Sequence, residues 1–457
     1  MNEQQNVKTQ VNQAAQSKKA WDRAYLRNGI YCLIVLLILA LSAVPLAGCQ
    51  GHSVQAETGT GSMAQAQAPP SETEDQVPDP KPDEILTILA VGDIMMHDTM
   101  LQAGWRSSTK DYDFASMFEQ VAPILQRGDL VIGNLEVPLA GEAQKYSGYP
   151  MFNAPEILAK NLKDAGFDMV STANNHCLDR RYSGLVSTLD HLDAVGLLHA
   201  GTCRNPEDQA KVTSMTVKGL KIALISGTYG TNGVVLPEGK GYAVNHLDQD
   251  LLLEQIAAAK KEGAQYIIAI LHWGQEYQPT PNEAQKTLAN ALFAGGADLI
   301  LGSHPHVLQL GETVKESVDV TVTMPAASVK EDPMQGKQTK FVMYSLGNFI
   351  SSQKGLERLS SLILNITLKV DGTTGAPSFE GASYIPLYTQ KKDRNGRYHF
   401  VVWPIELALD AAKKPNNPFS AEDAAALKKA WEHVKVSQPS MVWEPVNALL
   451  SEDLPSQ

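Results

Sequence analysis

The sequence predicts an α/β fold, on three observations. Short β-branched runs, each apolar throughout, recur from Ile85 onward and end in Gly, Asn or His. Amphipathic stretches of helical length separate them. Apolar residues make up 43% of the chain and charged residues 19%, the balance of a globular protein rather than a disordered one. Strands that are apolar throughout are buried on both faces, so the alternation reads as βαβ units around a mostly parallel sheet.

In chain order, strands are predicted at residues 86–95, 130–137, 169–174, 221–226, 266–272, 299–303 and 341–346. Each joins a β-branched run to a turn residue. Amphipathic helices are predicted at 114–125, 155–165, 183–194, 249–262 and 282–293. Beyond Leu359 the pattern changes to antiparallel strands at 359–370, 382–387 and 398–404, joined by polar turns such as Asp371-Gly372. A last helix is predicted at 421–434, with Ser420 as N-cap and Asp423 completing a capping box.

The 457 residues carry a net charge of -12. The first 49 residues have the opposite sign, with Lys8, Lys18, Lys19, Arg23 and Arg27 against Glu3 and Asp22. The remainder is therefore more acidic than the whole, which argues against nucleic acid as a partner. Four cysteines are too few for a disulfide scaffold or a Cys-based zinc framework. Cys177 and Cys203 are expected as unpaired thiols.

Residues 30–49 form an apolar segment after the basic flank, which reads as a signal or anchor with the basic end inside. Its end, Leu46-Ala47-Gly48-Cys49, resembles a bacterial lipobox, which implies diacylation of Cys49 and stable anchoring. An uncleaved transmembrane anchor is the alternative. Either places the rest of the chain on the extracytoplasmic face of the cell membrane. Residues 50–83, rich in Gln, Ala, Pro, Glu, Ser and Gly, read as a flexible linker spanning about 30 Å r.m.s.. One large domain is expected over 84–405, then a helical tail over 406–457.

In open α/β sheets, ligands bind beyond the carboxyl ends of the strands. Here those ends read Gly92-Asp93-Ile94-Met95-Met96-His97, Gly133-Asn134-Leu135-Glu136, Ala173-Asn174-Asn175-His176, His272-Trp273-Gly274, Gly302-Ser303-His304-Pro305-His306 and Ser345-Leu346-Gly347-Asn348-Phe349. Any single strand-end histidine is more often structural than a ligand. Repetition alters that balance, because five of the eleven histidines fall at one expected edge. Oxygen and imidazole donors without thiolate suit divalent Mn, Fe or Zn. His304 and His306, one residue apart on a turn, can reach neighbouring metal positions. Two bridged metals would lower the pKa of a bound water and clamp both oxygens of a displacement.

The ordered motifs GD, GNLE, ANNH, HWG, GSHPH and SLGNF resemble the CapA (poly-γ-glutamate capsule synthesis) family, within the calcineurin-like metallophosphoesterase superfamily. Tyr229-Gly230-Thr231-Asn232-Gly233 and Phe152-Asn153-Ala154-Pro155 add to it, and the resemblance runs from Ile85 to Pro404. It implies a four-layer α/β/β/α sandwich. It implies Asp93, Glu136 (in the bridging position), Asn175, His272, His304 and His306 as metal ligands, and His176 as acid/base. The histidine expected two residues after Asp93 is replaced here by His97, four residues on. Asp179, Asn174 and Asn348 are candidates to orient those groups, Asp179 within the catalytic pair. Asn232, Trp273, Glu276 and Tyr277 are expected on the substrate side, with Arg180 and Arg181 as the nearest cations.

Two functions follow. One is a membrane-anchored metal-dependent hydrolase acting on a phosphoester or on poly-γ-glutamate. The other is a non-enzymatic partner of a polymer synthase that guides or exports the chain. Because the body is acidic, an anionic ligand needs the metal to hold it.

Overall fold

A computed structural model of the chain describes residues 81–314, 339–394 and 396–451. The anchor segment with Cys49 and most of the linker lie outside the described residues. The first parallel strands are β1 (Glu84–Ile94), β2 (Leu130–Leu135), β3 (Met169–Ser171) and β4 (Leu198–Ala200). Between them run α1 (Asp98–Gly104), α2 (Ile157–Ala165) and α3 (Arg181–Ala194). A second group follows: β5 (Thr213–Val217), β6 (Leu220–Thr228), α4 (Gln249–Lys261), β7 (Tyr266–His272), α5 (Glu283–Gly295), β8 (Leu299–Ser303), β9 (Gly311–Val314) and β10 (Lys340–Met343). The chain then returns through β11 (Asn348–Ile350), β12 (Ser360–Val370), β13 (Pro377–Arg394) and β14 (Arg397–Pro404) to α6 (Ile405–Ala412) and α7 (Ala421–Ser437).

The strands do not form one sheet. The first sheet runs β14-β13-β12-β1-β2-β3-β4, with β11 added beside the end of β1. The second runs β9-β10-β8-β7-β6-β5. The first is antiparallel from β14 to β1 and parallel from β1 to β4, while the second is parallel at its centre and antiparallel at both edges. Leu86, Ile88 and Ala90 of β1 face the second sheet and pack with Leu224, Ile268 and Leu301. The alternate residues Leu89 and Val91 face outward, under Leu101, Leu158 and Leu162. On the far side, Ala223, Ile267 and Ile300 pack under Leu252, Ile256 and Leu292 of α4 and α5. The result is a four-layer α/β/β/α sandwich. Each buried Leu or Ile contributes roughly 1.5–3 kcal/mol, which is why strands clad on both faces are apolar throughout.

Helix ends follow local chemistry. Asp248 caps α4 by accepting from the amides of Asp250 and Leu251 at 3.0 and 3.1 Å. Asn282 and Gln285 form a capping box on α5, and Ser420 and Asp423 form the expected one on α7. The stretch expected as one helix over 114–125 is instead a 3₁₀ turn at Ala115–Met117 and a short helix at Ala122–Leu125. Pro123 lacks the amide that would continue the first turn, so it starts a new one. The residues after Pro404 also differ from a tail. Leu427 and Ala430 of α7 pack with Ile405 and Ala408 of α6, and Val434 reaches the core between the sheets.

Candidate functional site

The second sheet corrects the picture of a single active edge. The parallel strands of both sheets end at one junction, and the site draws residues from each. In the first sheet, Asp93 sits in register with Asn134 of β2 and Asn348 of β11. This packing requires a glycine before it, because a Cβ on Gly92 would lie 1.8 Å from the carbonyl oxygen of Gly347. In the second sheet, His272 is in register with Ser303. A Cβ on Gly302 would lie 1.9 Å from the carbonyl oxygen of Tyr344. The backbone then enters left-handed conformations at three non-glycine residues, Tyr277 (φ 64°), His304 (φ 95°) and His306 (φ 59°). The amide of Tyr277 donates to the carbonyl of Pro305 at 2.8 Å, locking the two loops together. Such conformations cost about 1–3 kcal/mol each and persist where the surroundings over-determine them.

Three overlapping sets of donor atoms result, each within 4.8 Å: Glu136, His272 and His304; Asp93, Glu136 and His306; Glu276, His304 and His306. Glu136 is shared by the first two. Asp93, Glu136, His272, His304 and His306 are buried, whereas Glu276 is exposed. The Asp93 carboxylate meets Nδ1 of His306 at 3.0 Å. Glu136 Oε1 lies 3.7 Å from Nε2 of His272 and 3.8 Å from Nε2 of His306, yet it has no hydrogen-bond partner among the described residues. Nδ1 of His304 is likewise buried without a partner. Burial, and then the nearby Asp93 charge, push the Glu136 carboxyl well above its usual range. Burial holds His272 well below the ordinary imidazole value and His304 at about 4, with neighbouring histidines adding to both shifts. Neutral imidazoles, paired carboxyls and two unpartnered buried donor atoms are what a divalent cation would satisfy.

Two residues missing from the expected set organise this cluster. Asn134 donates through Nδ2 to Asp93 at 2.8 Å and approaches Glu136 at 3.5 Å, while its Oδ1 accepts from Ser171 at 2.7 Å. Ser303 Oγ lies 2.9 Å from Nδ1 of His272 and orients that ring. Both stood inside the strand-end motifs, but neither type is itself a strong ligand signal.

The two residues expected to act as a catalytic pair, His176 and Asp179, lie together. His176 Nδ1 lies 2.8 Å from Asp179 Oδ2, which also accepts from the amide of Phe152 at 2.7 Å. Both residues are buried. The Phe152 ring meets His176 and His97 edge-on, at 4.7 and 5.3 Å. Asn175 Oδ1 lies 3.1 Å from Nε2 of His272. Asn174 caps the turn, donating to the Leu135 carbonyl and accepting from the His176 amide.

Other expected residues fall elsewhere. His97 accepts from the Ser352 amide at 3.3 Å and belongs to none of the three donor sets. Trp273 is buried in the helix-covered core of the second sheet, donating to the Tyr344 carbonyl at 2.9 Å, which is a packing position. Asn232 occupies an exposed turn, and the residue of that segment that meets the cluster is Tyr229, whose ring is 4.4 Å from that of His304. Glu276, expected on the substrate side, joins a donor set. The Arg180 guanidinium is occupied by Ser147 and by the carbonyls of Met151 and Asp179. Cys177 and Cys203 are both buried free thiols.

Two facing sheets with a carboxylate and imidazole cluster at their shared strand ends define a four-layer α/β/β/α protein with a candidate metal centre. The chain belongs to the family described as bacterial capsule synthesis protein PGA_cap, whose model matches residues 87–353. It is 31% identical over 299 residues to the capsule biosynthesis protein CapA of Bacillus anthracis, a match covering 64% of this chain and 66% of that one. It is 30% identical over 305 residues to the PGA biosynthesis protein CapA of Bacillus subtilis (strain 168), covering 64% and 70%. The matched region thus spans just under two thirds of the first relative's length. Among solved structures, the NAD nucleotidase NadN of Haemophilus influenzae shows a distant likeness that says nothing of activity. It has 15% identity and a TM-score of 0.39, covering 77% of this chain and 60% of that one.

Proposed function

We propose that the cluster holds two divalent cations sharing Glu136, and that the chain is a metal-dependent hydrolase serving capsule polymer synthesis at the outer face of the membrane. The observation that carries this reading is the buried, unpartnered Glu136 Oε1 between the imidazoles of His272 and His306. Asp93, Glu136 and His306 would hold one ion; Glu136, His272 and His304, with Asn175 beside His272, would hold the other. When bound, the ions supply Lewis acidity to the reacting centre.

The rest is done by the chain's own side chains. Asp179 fixes the ring of His176 through Nδ1, which leaves Nε2 as the atom that holds or delivers a proton. Phe152 covers one edge of that ring and limits water. Tyr229 packs against the rings of His272 and His304, closing the side toward the second sheet. The capsule role is supported by the family and by the two CapA relatives. Membrane attachment is supported by the basic flank, apolar segment and Cys49 in the sequence.

The test is metal analysis of the purified protein with hydrolysis assayed on a phosphoester and on poly-γ-glutamate. Near-stoichiometric metal lost in Glu136→Gln, together with turnover lost in a folded, metal-replete His176→Ala, is the expected result. Full turnover by His176→Ala would refute the acid/base role. If ligand variants restore capsule to a deletion strain as well as the wild type does, the non-enzymatic partner role replaces the hydrolase.

A further inference from the structure

With Arg180 occupied, the cations beside the cluster come from a segment that the strand-end motifs do not include. Asn348, in register with Asp93, donates through Nδ2 to Gln353 Oε1 and to the Arg358 carbonyl, both at 3.0 Å. The Ser352 amide donates to His97. The loop from Ser351 to Leu359 is thereby tied to the site at both ends, and it carries Lys354 and Arg358. The Arg358 guanidinium lies 4.8 Å from the centre of the Tyr277 ring, and that ring is 6.1 Å from the ring of His306. From β13, the Lys391 ammonium donates to Ser352 Oγ at 2.9 Å and lies 5.0 and 5.5 Å from the Tyr398 and Phe400 ring centres.

None of these three cations has an ion-pair partner among the described residues. Burial and then repulsion from Lys354 push the Lys391 ammonium below its usual value, so the two lysines feel each other. In a chain of net charge -12, Lys354, Arg358 and Lys391 form a small positive patch beside the cluster, with Asp393 acting on Lys391 and Glu276 sharing Tyr277 with Arg358. The Tyr277 ring fixes the guanidinium plane and its hydroxyl, which also meets Glu276, engages part of it, so that the remaining donors can serve a planar or tetrahedral anion. All three residues lie beyond residue 353, where the family match ends.

We propose that Lys354, Arg358 and Lys391 form an anion-binding subsite at the mouth of the site. It holds a carboxylate or phosphate of the substrate next to the group that reaches the donor cluster. The proposal rests on the cluster being the reactive centre. The test is calorimetric titration of the full chain with a γ-glutamyl pentamer and, separately, with inorganic phosphate, at two salt concentrations. The triple variant Lys354→Gln/Arg358→Gln/Lys391→Gln is expected to keep its metal, bind at least one probe about tenfold more weakly and lose most of the salt dependence. Weakening for the pentamer alone identifies a carboxylate site; weakening for phosphate identifies a phosphate site. Unchanged affinity for both probes overturns the proposal. The exposed Lys354→Glu, read in parallel, removes dependence on the folding of the triple variant: weaker binding supports the subsite, unchanged binding overturns it. If Glu136→Gln keeps its metal while a probe still binds in a Lys354-dependent way, the subsite stands and the reactive-centre reading falls.

Discussion

At the scale of residues, the site is a problem of unpaired groups. Glu136 and His304 present buried atoms without partners, and their protonation is set by that burial. His97 and His304 are held at about 4, against an ordinary value of 6.5. A lowered imidazole value means the unfolded chain takes up protons that the fold refuses. Their contribution to stability is therefore intact above 6.5 and lost as pH falls toward 4. Proton NMR of the metal-free protein should find both rings titrating near 4; a midpoint near 6.5 for either would show that ring to be solvated. Glu136 has the opposite sign. Its raised value favours the metal-free fold below the ordinary 4.5 and costs stability as pH rises. Metal needs the carboxylate, so the gain in Tm on adding Mn or Zn should grow as pH rises above the ordinary carboxyl value. A pH-independent gain would place the metal away from Glu136. At His176, alanine should lower kcat by roughly a hundred- to ten-thousandfold. Asp179→Asn should lower it less, about ten- to a hundredfold, because the ring loses its orientation but not its chemistry. Equal losses for the two would assign Asp179 a direct role.

At the scale of elements, two glycines let neighbouring strands approach closely enough to align the donors. Gly92→Ala and Gly302→Ala should each cost on the order of 3 kcal/mol or more, since each Cβ would meet backbone at 1.8 and 1.9 Å respectively. Gly241→Ala, with nothing within 4 Å of its Cβ, should stay within about 0.5 kcal/mol. Urea unfolding of the three variants decides this, and equal stability would mean that β11 and the loop after β10 yield easily. The strand-end glycines were visible in the sequence, and the strands at 266–272 and 299–303 match β7 and β8 to the residue. The edge strands β4, β5 and β9 were not legible. They are short, and β5 and β9 are mostly half-buried, so they lack the long apolar run that marks a central strand. α6 escaped for a related reason: it follows β14 with no intervening turn residue.

At the scale of the whole molecule, the charge balance and the address matter together. Cys49 lies outside the described residues, and its role is a proposal from the sequence. Labelling cells with an alkyne fatty acid should tag the wild type and leave Cys49→Ser untagged. An untagged wild type that still fractionates with membranes would assign the uncleaved anchor instead. The acidic body repels polyanions at long range, so under the proposed function their approach would depend on the local cations and on metal held at the cluster. The helices α6 and α7 close the cores of the same body.

The sequence by itself determined the α/β class, the strand ends that carry the chemistry, and the residue types suited to a divalent cation. These are local properties: apolar runs, turn residues and donor chemistry are written in consecutive positions. The motif resemblance already implied two sheets, but only the tertiary structure decided which strand ends of each supply the site. It alone made Asn134 and Ser303 the organising residues, brought Glu276 into a donor set, and set Arg358 over the Tyr277 ring and Lys391 against Ser352. Those outcomes depend on which strand ends face each other across about 10 Å of packed core. No periodicity along one chain encodes that distance.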